Sequence, residues 1–149
     1  MKQINKVAVI GAGVMGATIA AHLANAGIQV LLLDIVPKEL NEAEKKAGLT
    51  LSDAAVRNRF ATAGREGLSK MKPAAYFIPS YESSIEAGNL DDDVKKIREC
   101  DWVIEVVVEK MEIKKRLFSE KVAPNLKEGA ILYTNTSGLS VNEMAESLP

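Results

Sequence analysis

The chain has 149 residues, 47% of them hydrophobic, which is typical of one globular domain. Its 19 basic and 20 acidic side chains leave a net charge of −1, which argues against a nucleic-acid-binding protein. The single cysteine, Cys100, excludes a disulfide framework and the four-ligand zinc patterns, so we expect no metal site. No targeting signal is visible and no apolar run approaches the ~20 residues of a membrane span, so we expect a cytoplasmic protein without membrane contact.

The first 34 residues predict a strand–turn–helix–strand unit. Lys6–Ile10 is a β-branched run typical of a strand buried on both faces. A helical pattern of small residues follows, and Gly27 suits the end of that helix. Gln29–Asp34 reads as a second buried strand that ends on an acidic residue.

The segment between Asp34 and Asp101 is oversized. It holds 66 residues, whereas a helix–strand–helix connection needs roughly 40. The excess falls in residues 38–72, where we predict helices over Glu39–Ala47 and Ser52–Met71, the second beginning at a capping serine. This helical insertion carries eight basic and five acidic residues, a local net charge of +3.

The remaining elements alternate between strand and helix. The pattern predicts a brief strand at Tyr76–Ile78, a short helix at Asn89–Arg98, strands at Trp102–Val108 and Ala130–Asn135, and between those two strands a helix over Glu112–Leu126. Alternating strands and helices imply parallel pairing with right-handed crossovers. We therefore predict an α/β fold, a Rossmann-type doubly wound and mainly parallel sheet, with the helical insertion after the second strand.

A glycine motif joins the first strand to the first helix. Gly11 permits a tight turn, Gly13 lets the backbone approach a pyrophosphate, and Gly16 lets helix and strand pack closely. Asp34 follows Gly13 by 21 residues, the spacing of a carboxylate that binds ribose hydroxyls and repels a 2′-phosphate. The motif predicts NAD rather than NADP; the alternative is a glycine turn without a nucleotide. The predicted cofactor-binding residues here are Gly11, Ala12, Gly13, Val14, Met15, Gly16 and Asp34.

Polar residues also follow the two later strands. Glu109 comes just after the Trp102–Val108 strand and Lys114 lies in the first turns of the next helix, where the carboxyl edge of a doubly wound sheet binds ligands. From the residues alone, an ordinary exposed pair at a helix start is the favoured explanation. Residues 134–138 bring short polar groups to the same edge, to bind a substrate or the nicotinamide, or simply to cap the next helix.

Three other residues receive structural interpretations. Glu105 lies among valines in the predicted strand, and a buried carboxylate must be paired or protonated, so we expect a structural role. His22, the only histidine, lies off the apolar line of its helix and is expected in solvent. Cys100 is expected to be a buried, inert thiol.

Taken together, these motifs resemble the NAD-binding domain of the 3-hydroxyacyl-CoA dehydrogenases. The resemblance runs over essentially the whole chain and is carried by Asp34, the helical insertion and the segments VAVIGAGVMGATIA, DWVIEVVVEKMEIKKRLF and ILYTNTSGLSV. Many relatives have a second serine after the NTS stretch, where this chain has Gly138, so only Ser137 can inherit a hydroxyl role.

The resemblance implies a function. It is the NAD-dependent oxidation of (S)-3-hydroxyacyl-CoA to 3-ketoacyl-CoA in fatty-acid β-oxidation, with Glu109 and Lys114 contacting the cofactor and Ser137 lying at the substrate hydroxyl and the nicotinamide. The basic insertion would cover the CoA. The parent enzyme would be a homodimer or part of a multifunctional enzyme.

The resemblance also implies missing parts. The general-base histidine and the helical substrate and dimerisation domain are expected downstream of residue 149, so residues 1–149 form the cofactor-binding domain and the isolated chain is expected to lack turnover. Two alternatives remain: a non-enzymatic NAD-sensing regulatory module, and a dehydrogenase of the 3-hydroxyisobutyrate or 6-phosphogluconate type. Neither accounts for the 66-residue connection.

Overall fold

A computed structural model describes residues 3–148. Within them five strands form one parallel sheet in the spatial order β3-β2-β1-β4-β5. The strands are β1 Lys6–Ile10, β2 Gln29–Asp34, β3 Ile85–Asn89, β4 Trp102–Glu105 and β5 Ile131–Thr134. Because the strand order reverses between β1 and β4, the sheet is doubly wound, and the predicted fold class is confirmed.

Strand β1 is at the centre of the sheet, and its alternating side chains enter two separate cores. Val7 and Val9 pack on one face with helix residues from the first half of the chain. Ala8 and Ile10 pack on the other face with residues such as Phe118. These four side chains are fully buried, which is why their part of the strand is continuously hydrophobic in sequence rather than alternating.

Helices cover both faces of the sheet. The α-helices are α1 Val14–Asn25, α2 Glu42–Lys46, α3 Ala54–Arg57, α4 Arg59–Leu68, α5 Met111–Arg116 and α6 Val141–Ala145. Helix α5 continues as a π-helical turn, Leu117–Val122, and a short 3₁₀ turn, Ala123–Asn125, and two further 3₁₀ helices span Pro79–Ser84 and Val94–Glu99. No helix among residues 3–148 is long and apolar enough to cross a membrane.

The insertion is helical as predicted, but its helices are shorter. Helix α2 is capped by Asn41, whose side chain accepts a hydrogen bond from the Glu44 amide in a reciprocal capping box. The predicted cap at Ser52 is wrong: Asp53 precedes α3, and its carboxylate accepts from the amide and hydroxyl of Thr50 instead. The predicted second helix is divided at Asn58 into α3 and α4.

The predicted strand at Tyr76–Ile78 is also wrong, because the third strand is Ile85–Asn89. Strand β3 lies at the edge of the sheet, exposes Glu86 and contains a glycine, so it lacks the apolar run that marks a central strand. The helix predicted from Asn89 accordingly begins later and is a 3₁₀ helix at Val94–Glu99.

Strand β4 ends at Glu105 rather than at Val108. The Val106 amide still donates to the Ile10 carbonyl at 2.8 Å, and the chain then leaves the sheet. Glu105 is therefore the last residue of its strand and not a mid-strand residue, which places a buried carboxylate at the ligand-binding edge of the sheet.

Asp101 makes hydrogen bonds at the amino ends of β1 and β4, and these contacts make the fold sensitive to acid. Its carboxylate accepts from the amides of Asn5 and Lys6 and from the Lys127 ammonium at 2.6 Å. Chiefly through Lys127, these contacts hold the pKa of Asp101 at about 2, below the ~3.9 of an unfolded chain. The stabilisation is thus complete above roughly pH 5 and is lost as the pH falls toward 2.

We expect Asp101→Asn to lower the free energy of unfolding at pH 6. The difference in that free energy between the variant and the wild type should become smaller as the pH approaches 3. Urea unfolding between those pH values measures this, with Glu66→Gln, a change at an exposed acid on α4, as the control. A difference independent of pH would contradict the role of the Asp101 charge.

Candidate functional site

The glycine motif forms the centre of a cradle at the carboxyl edge of the sheet. Gly11 has a φ of +108°, and a Cβ there would lie 2.5 Å from the Val106 carbonyl oxygen. A Cβ on Gly16 would lie 1.7 Å from the Gly11 carbonyl oxygen. A Cβ on Gly13 would meet nothing within 4 Å. The turn and the close helix packing predicted for Gly11 and Gly16 are therefore present, and the backbone at Gly13 stays open to a ligand.

Asp34 ends β2 beside this cradle. One carboxylate oxygen accepts from the Ala12 amide at 2.6 Å and the other from the Ile35 amide at 2.7 Å. The carboxylate is half-buried and retains lone pairs for further donors. It thus holds the glycine loop while facing the space where a ribose would bind.

A cavity of about 600 Å³ opens between α1 and α4 and reaches Asp34. Its walls are almost entirely apolar, as expected for the binding of a flat ring rather than a phosphate. Helix α4 supplies five of the twelve lining residues. It packs on the glycine loop so closely that a Cβ on Gly64 would lie 2.5 Å from the Ala12 carbonyl oxygen. The lining residues are Ala12, Gly13, Val14, Ala17, Asp34, Ile35, Phe60, Ala63, Gly64, Gly67, Leu68 and Met71.

Sequence reasoning missed this contribution of the insertion. Phe60 is held by Arg59, whose guanidinium lies 5.1 Å from the ring centroid and forms an ion pair with Glu44. The signal that was available is Gly64 within α4, because glycine weakens a helix interior unless close packing requires it. The positive charge of the insertion is partly used inside the domain, since Arg57 binds Asp92 at 2.5 Å.

Glu105 and Lys114 form a buried ion pair next to the cradle. The Lys114 ammonium lies 2.7 Å and 2.9 Å from the two Glu105 oxygens, and both side chains are at most 1% exposed. Glu105 also accepts from the Val107 amide at 2.6 Å and the Thr134 hydroxyl at 2.5 Å. Of the two states expected for Glu105, paired or protonated, the structure shows the paired one. Lys114 lies in the first turns of the helix after β4, as predicted, but it is buried rather than exposed.

Glu109 connects this pair to the turn after β5. One of its oxygens accepts from the Thr136 hydroxyl and from the amides of Ser137 and Gly138, at 3.1 Å and 3.0 Å for the amides. The other lies 3.3 Å from the Lys114 ammonium. The structure thus brings together three residues that the sequence placed at this edge: Glu109, Lys114 and Ser137.

The same contacts set the ionisation of Glu109. The Thr136 hydroxyl makes the largest contribution, and together with the Gly138 amide it lowers the pKa of Glu109 to about 2. The carboxylate is therefore charged at every physiological pH, and it remains a strong acceptor although 41% of its side chain is exposed.

The other candidate residues take different positions. The Ser137 side chain is exposed, as are Val14 and Met15 at the start of α1. His22 is exposed on α1, as expected. Cys100 is fully buried, and burial raises the pKa of its thiol to about 11, which makes it inert. Ser140 caps α6 by accepting from the Glu143 amide, so capping of that helix does not need Ser137.

Comparisons with known proteins agree with this geometry. A family profile described as the NAD-binding domain of 3-hydroxyacyl-CoA dehydrogenase matches residues 6–149. A probable 3-hydroxyacyl-CoA dehydrogenase of Bacillus subtilis (strain 168) is 52% identical over 97% of the chain, and a putative fatty acid oxidation complex trifunctional enzyme of Rickettsia felis is 42% identical over 99%. The chain spans 18% of the length of each. A crystal structure of 3-hydroxybutyryl-CoA dehydrogenase from Escherichia coli K12 superposes with a TM-score of 0.72 at 26% identity, covering 99% of this chain and 28% of that one.

Proposed function

The chain belongs to the family of NAD-binding domains of the 3-hydroxyacyl-CoA dehydrogenases, and we propose that it is the cofactor-binding part of an enzyme that oxidises (S)-3-hydroxyacyl-CoA to 3-ketoacyl-CoA in fatty-acid β-oxidation. NAD supplies the hydride acceptor, its nicotinamide ring. The observation that carries the proposal is the open backbone at Gly13, at the start of α1 and beside the cavity that reaches Asp34. A pyrophosphate at this helix start would meet free amide groups.

The adenosine half of NAD fits the cavity. With the pyrophosphate over Gly13 and the ribose hydroxyls at Asp34, the adenine would enter the apolar space between Ile35 and α4. Phe60 and the backbone face of α4 at Gly64 and Gly67 then offer flat apolar contacts to the ring. The charge of Asp34 disfavours a 2′-phosphate, which accounts for NAD rather than NADP.

The nicotinamide half would lie toward the turn that carries Ser137. This turn follows β5, on the other side of the strand-order reversal from Asp34, so a dinucleotide spanning the reversal reaches it. The Ser137 hydroxyl is exposed there to bind the substrate oxygen. Glu109 fixes the turn by accepting hydrogen bonds from its backbone amides. We propose that the parent enzyme is cytoplasmic and either a homodimer or part of a multifunctional enzyme, as the name of the Rickettsia felis relative suggests.

A chimera tests the proposed activity. Residues 6–149 of this chain would replace the matching part of the Bacillus subtilis relative, with the unaltered relative as the control. We expect the chimera to oxidise NADH when acetoacetyl-CoA is added, to prefer NADH to NADPH, and to lose about tenfold or more of kcat with Ser137→Ala, because the substrate oxygen loses a hydrogen bond in the transition state. Binding of NADH without turnover, in an otherwise active scaffold, would favour a sensing module.

Two substitutions at one position of the α4 wall are expected to separate stability from cofactor affinity. Gly67 is exposed in a helix, and a Cβ there would meet nothing within 4 Å. Gly67→Ala is therefore expected to stabilise the chain by about 0.5–1 kcal/mol. Gly67→Leu fills the proposed adenine space and is expected to weaken NADH binding about tenfold or more.

Thermal unfolding and NADH fluorescence titration measure the two effects. Glu66→Leu, at the neighbouring exposed position outside the cavity, is the matched control and should leave NADH affinity unchanged. Equal NADH affinity of the wild type and Gly67→Leu would contradict the placement of adenine in this cavity.

A further inference from the structure

A line of charged side chains runs from the end of β4 to the turn after β5. The Lys114 ammonium has three protons, and the described residues surround it with the two Glu105 oxygens, one Glu109 oxygen at 3.3 Å and the Val107 carbonyl at 3.4 Å. Lys114 is also fully buried. Its hydrogen bonds are thus used within the domain, and its charge is directed at Glu109.

Glu109 divides its two oxygens between different tasks. Oε2 faces the ammonium, while Oε1 accepts from the Thr136 hydroxyl and the backbone amides of Ser137 and Gly138. A carboxylate held at both oxygens has little freedom to rotate, so the contact of Oε2 with Lys114 helps to fix where Oε1 lies. The turn that presents the Ser137 hydroxyl is built on that oxygen.

Glu105 fixes the other end of the line. It grips the ammonium with both oxygens and is itself held by the Val107 amide and the Thr134 hydroxyl, one from the chain after β4 and one from β5. The carboxylates of Glu105 and Glu109 share the single Lys114 ammonium, so the three groups together carry one net negative charge. Because Glu105 is fully buried and Glu109 is partly exposed, that charge is best solvated at Glu109.

We infer that Glu105 and Lys114 are positioning residues for Ser137: Glu105 fixes the Lys114 ammonium, the ammonium fixes the Glu109 carboxylate, and Glu109 holds the amides of the turn that carries Ser137. The inference rests on the proposed function only for its consequence, that the turn faces the nicotinamide half of NAD. The positioning itself is a property of the chain alone.

The double variant Glu105→Gln with Lys114→Met removes the ion pair without leaving a buried charge. We expect amide hydrogen exchange at Ser137 and Gly138 to become about tenfold faster as the hold of Glu109 on the turn loosens. The pKa of Glu109 should also rise from about 2, but loss of the Lys114 contact raises it in any case, so the exchange rates are the deciding measurement. Lys115→Met, which removes the neighbouring ammonium that binds Glu143 at 2.8 Å on the outside of α5, is the matched control.

Unchanged exchange at both amides in the folded double variant would overturn the inference. If the double variant does not fold, the single variant Glu105→Gln tests the inference instead. It keeps the size of the side chain at position 105 and the Lys114 ammonium, but it replaces the ion pair between them with a weaker hydrogen bond. It must speed exchange at the same two amides, and wild-type rates would again overturn the inference.

Ligand binding separates this inference from the proposed function. In the double variant, NADH affinity is expected to fall several-fold while affinity for ADP-ribose, which lacks the nicotinamide, stays within about twofold of the wild type. Equal losses for both ligands would contradict a role confined to the turn. Failure of the wild-type chain to bind either ligand would contradict the proposed function, and the exchange results would still decide the positioning.

Discussion

Replacing Lys114 with methionine alone is expected to lower the free energy of unfolding by about 3–5 kcal/mol at neutral pH, because it leaves the Glu105 carboxylate buried without a counter-charge. Both side chains are at most 1% exposed, so water cannot replace the ammonium. The loss should shrink as the pH falls, since the unpaired carboxyl can then take up a proton in the folded state. Urea unfolding between pH 5 and 8 measures the loss and its pH dependence.

The double variant Glu105→Gln with Lys114→Met is the companion measurement. It should recover most of the stability, since a buried ion pair replaced by neutral groups of similar volume is often nearly as stable. Lys115→Met should cost no more than about 0.5 kcal/mol, because its partner lies in solvent-exposed surroundings. A loss below about 1 kcal/mol for Lys114→Met would mean that the pair is hydrated.

A single methyl group at position 16 should disrupt both folding and cofactor binding. A Cβ on Gly16 would lie 1.7 Å from the Gly11 carbonyl oxygen and 2.9 Å from its carbon, and both are backbone atoms that no rotamer change can move aside. In an open helix Gly→Ala is stabilising. Here we expect Gly16→Ala to destabilise the chain by about 2–4 kcal/mol, because α1 must move away from β1.

Gly13→Ala is the matched control for that experiment. The added Cβ meets nothing within 4 Å, and the φ of −64° at this position is open to any residue. Its stability should stay within about 0.5 kcal/mol of the wild type. NADH binding should nevertheless weaken, because the methyl group would occupy the space through which the pyrophosphate approaches the backbone. Wild-type stability for Gly16→Ala would show that the loop can rearrange.

The central elements could be predicted from the sequence because their burial is complete. Strands β1 and β2 are covered on both faces, so almost every position must be apolar, and their bounds are confirmed. Strand β3 could not be found, because an edge strand buries only part of its surface and tolerates Glu86 and a glycine. The break at Asn58 was missed for a related reason: helices this short are held by packing rather than by their own propensity.

The candidate site divides in the same way. The sequence by itself determined the glycine turn, the carboxylate at Asp34 and the polar edge at Glu109 and Ser137, because local geometry and strand direction dictate where such residues lie. Only the tertiary structure decided what they contact. The hold of Glu109 on the turn and the α4 wall of the cavity join distant parts of the chain. The Glu105–Lys114 pair spans only nine residues, but it joins the end of β4 to α5. Such contacts depend on how helices pack on the sheet, which no local pattern of residues specifies.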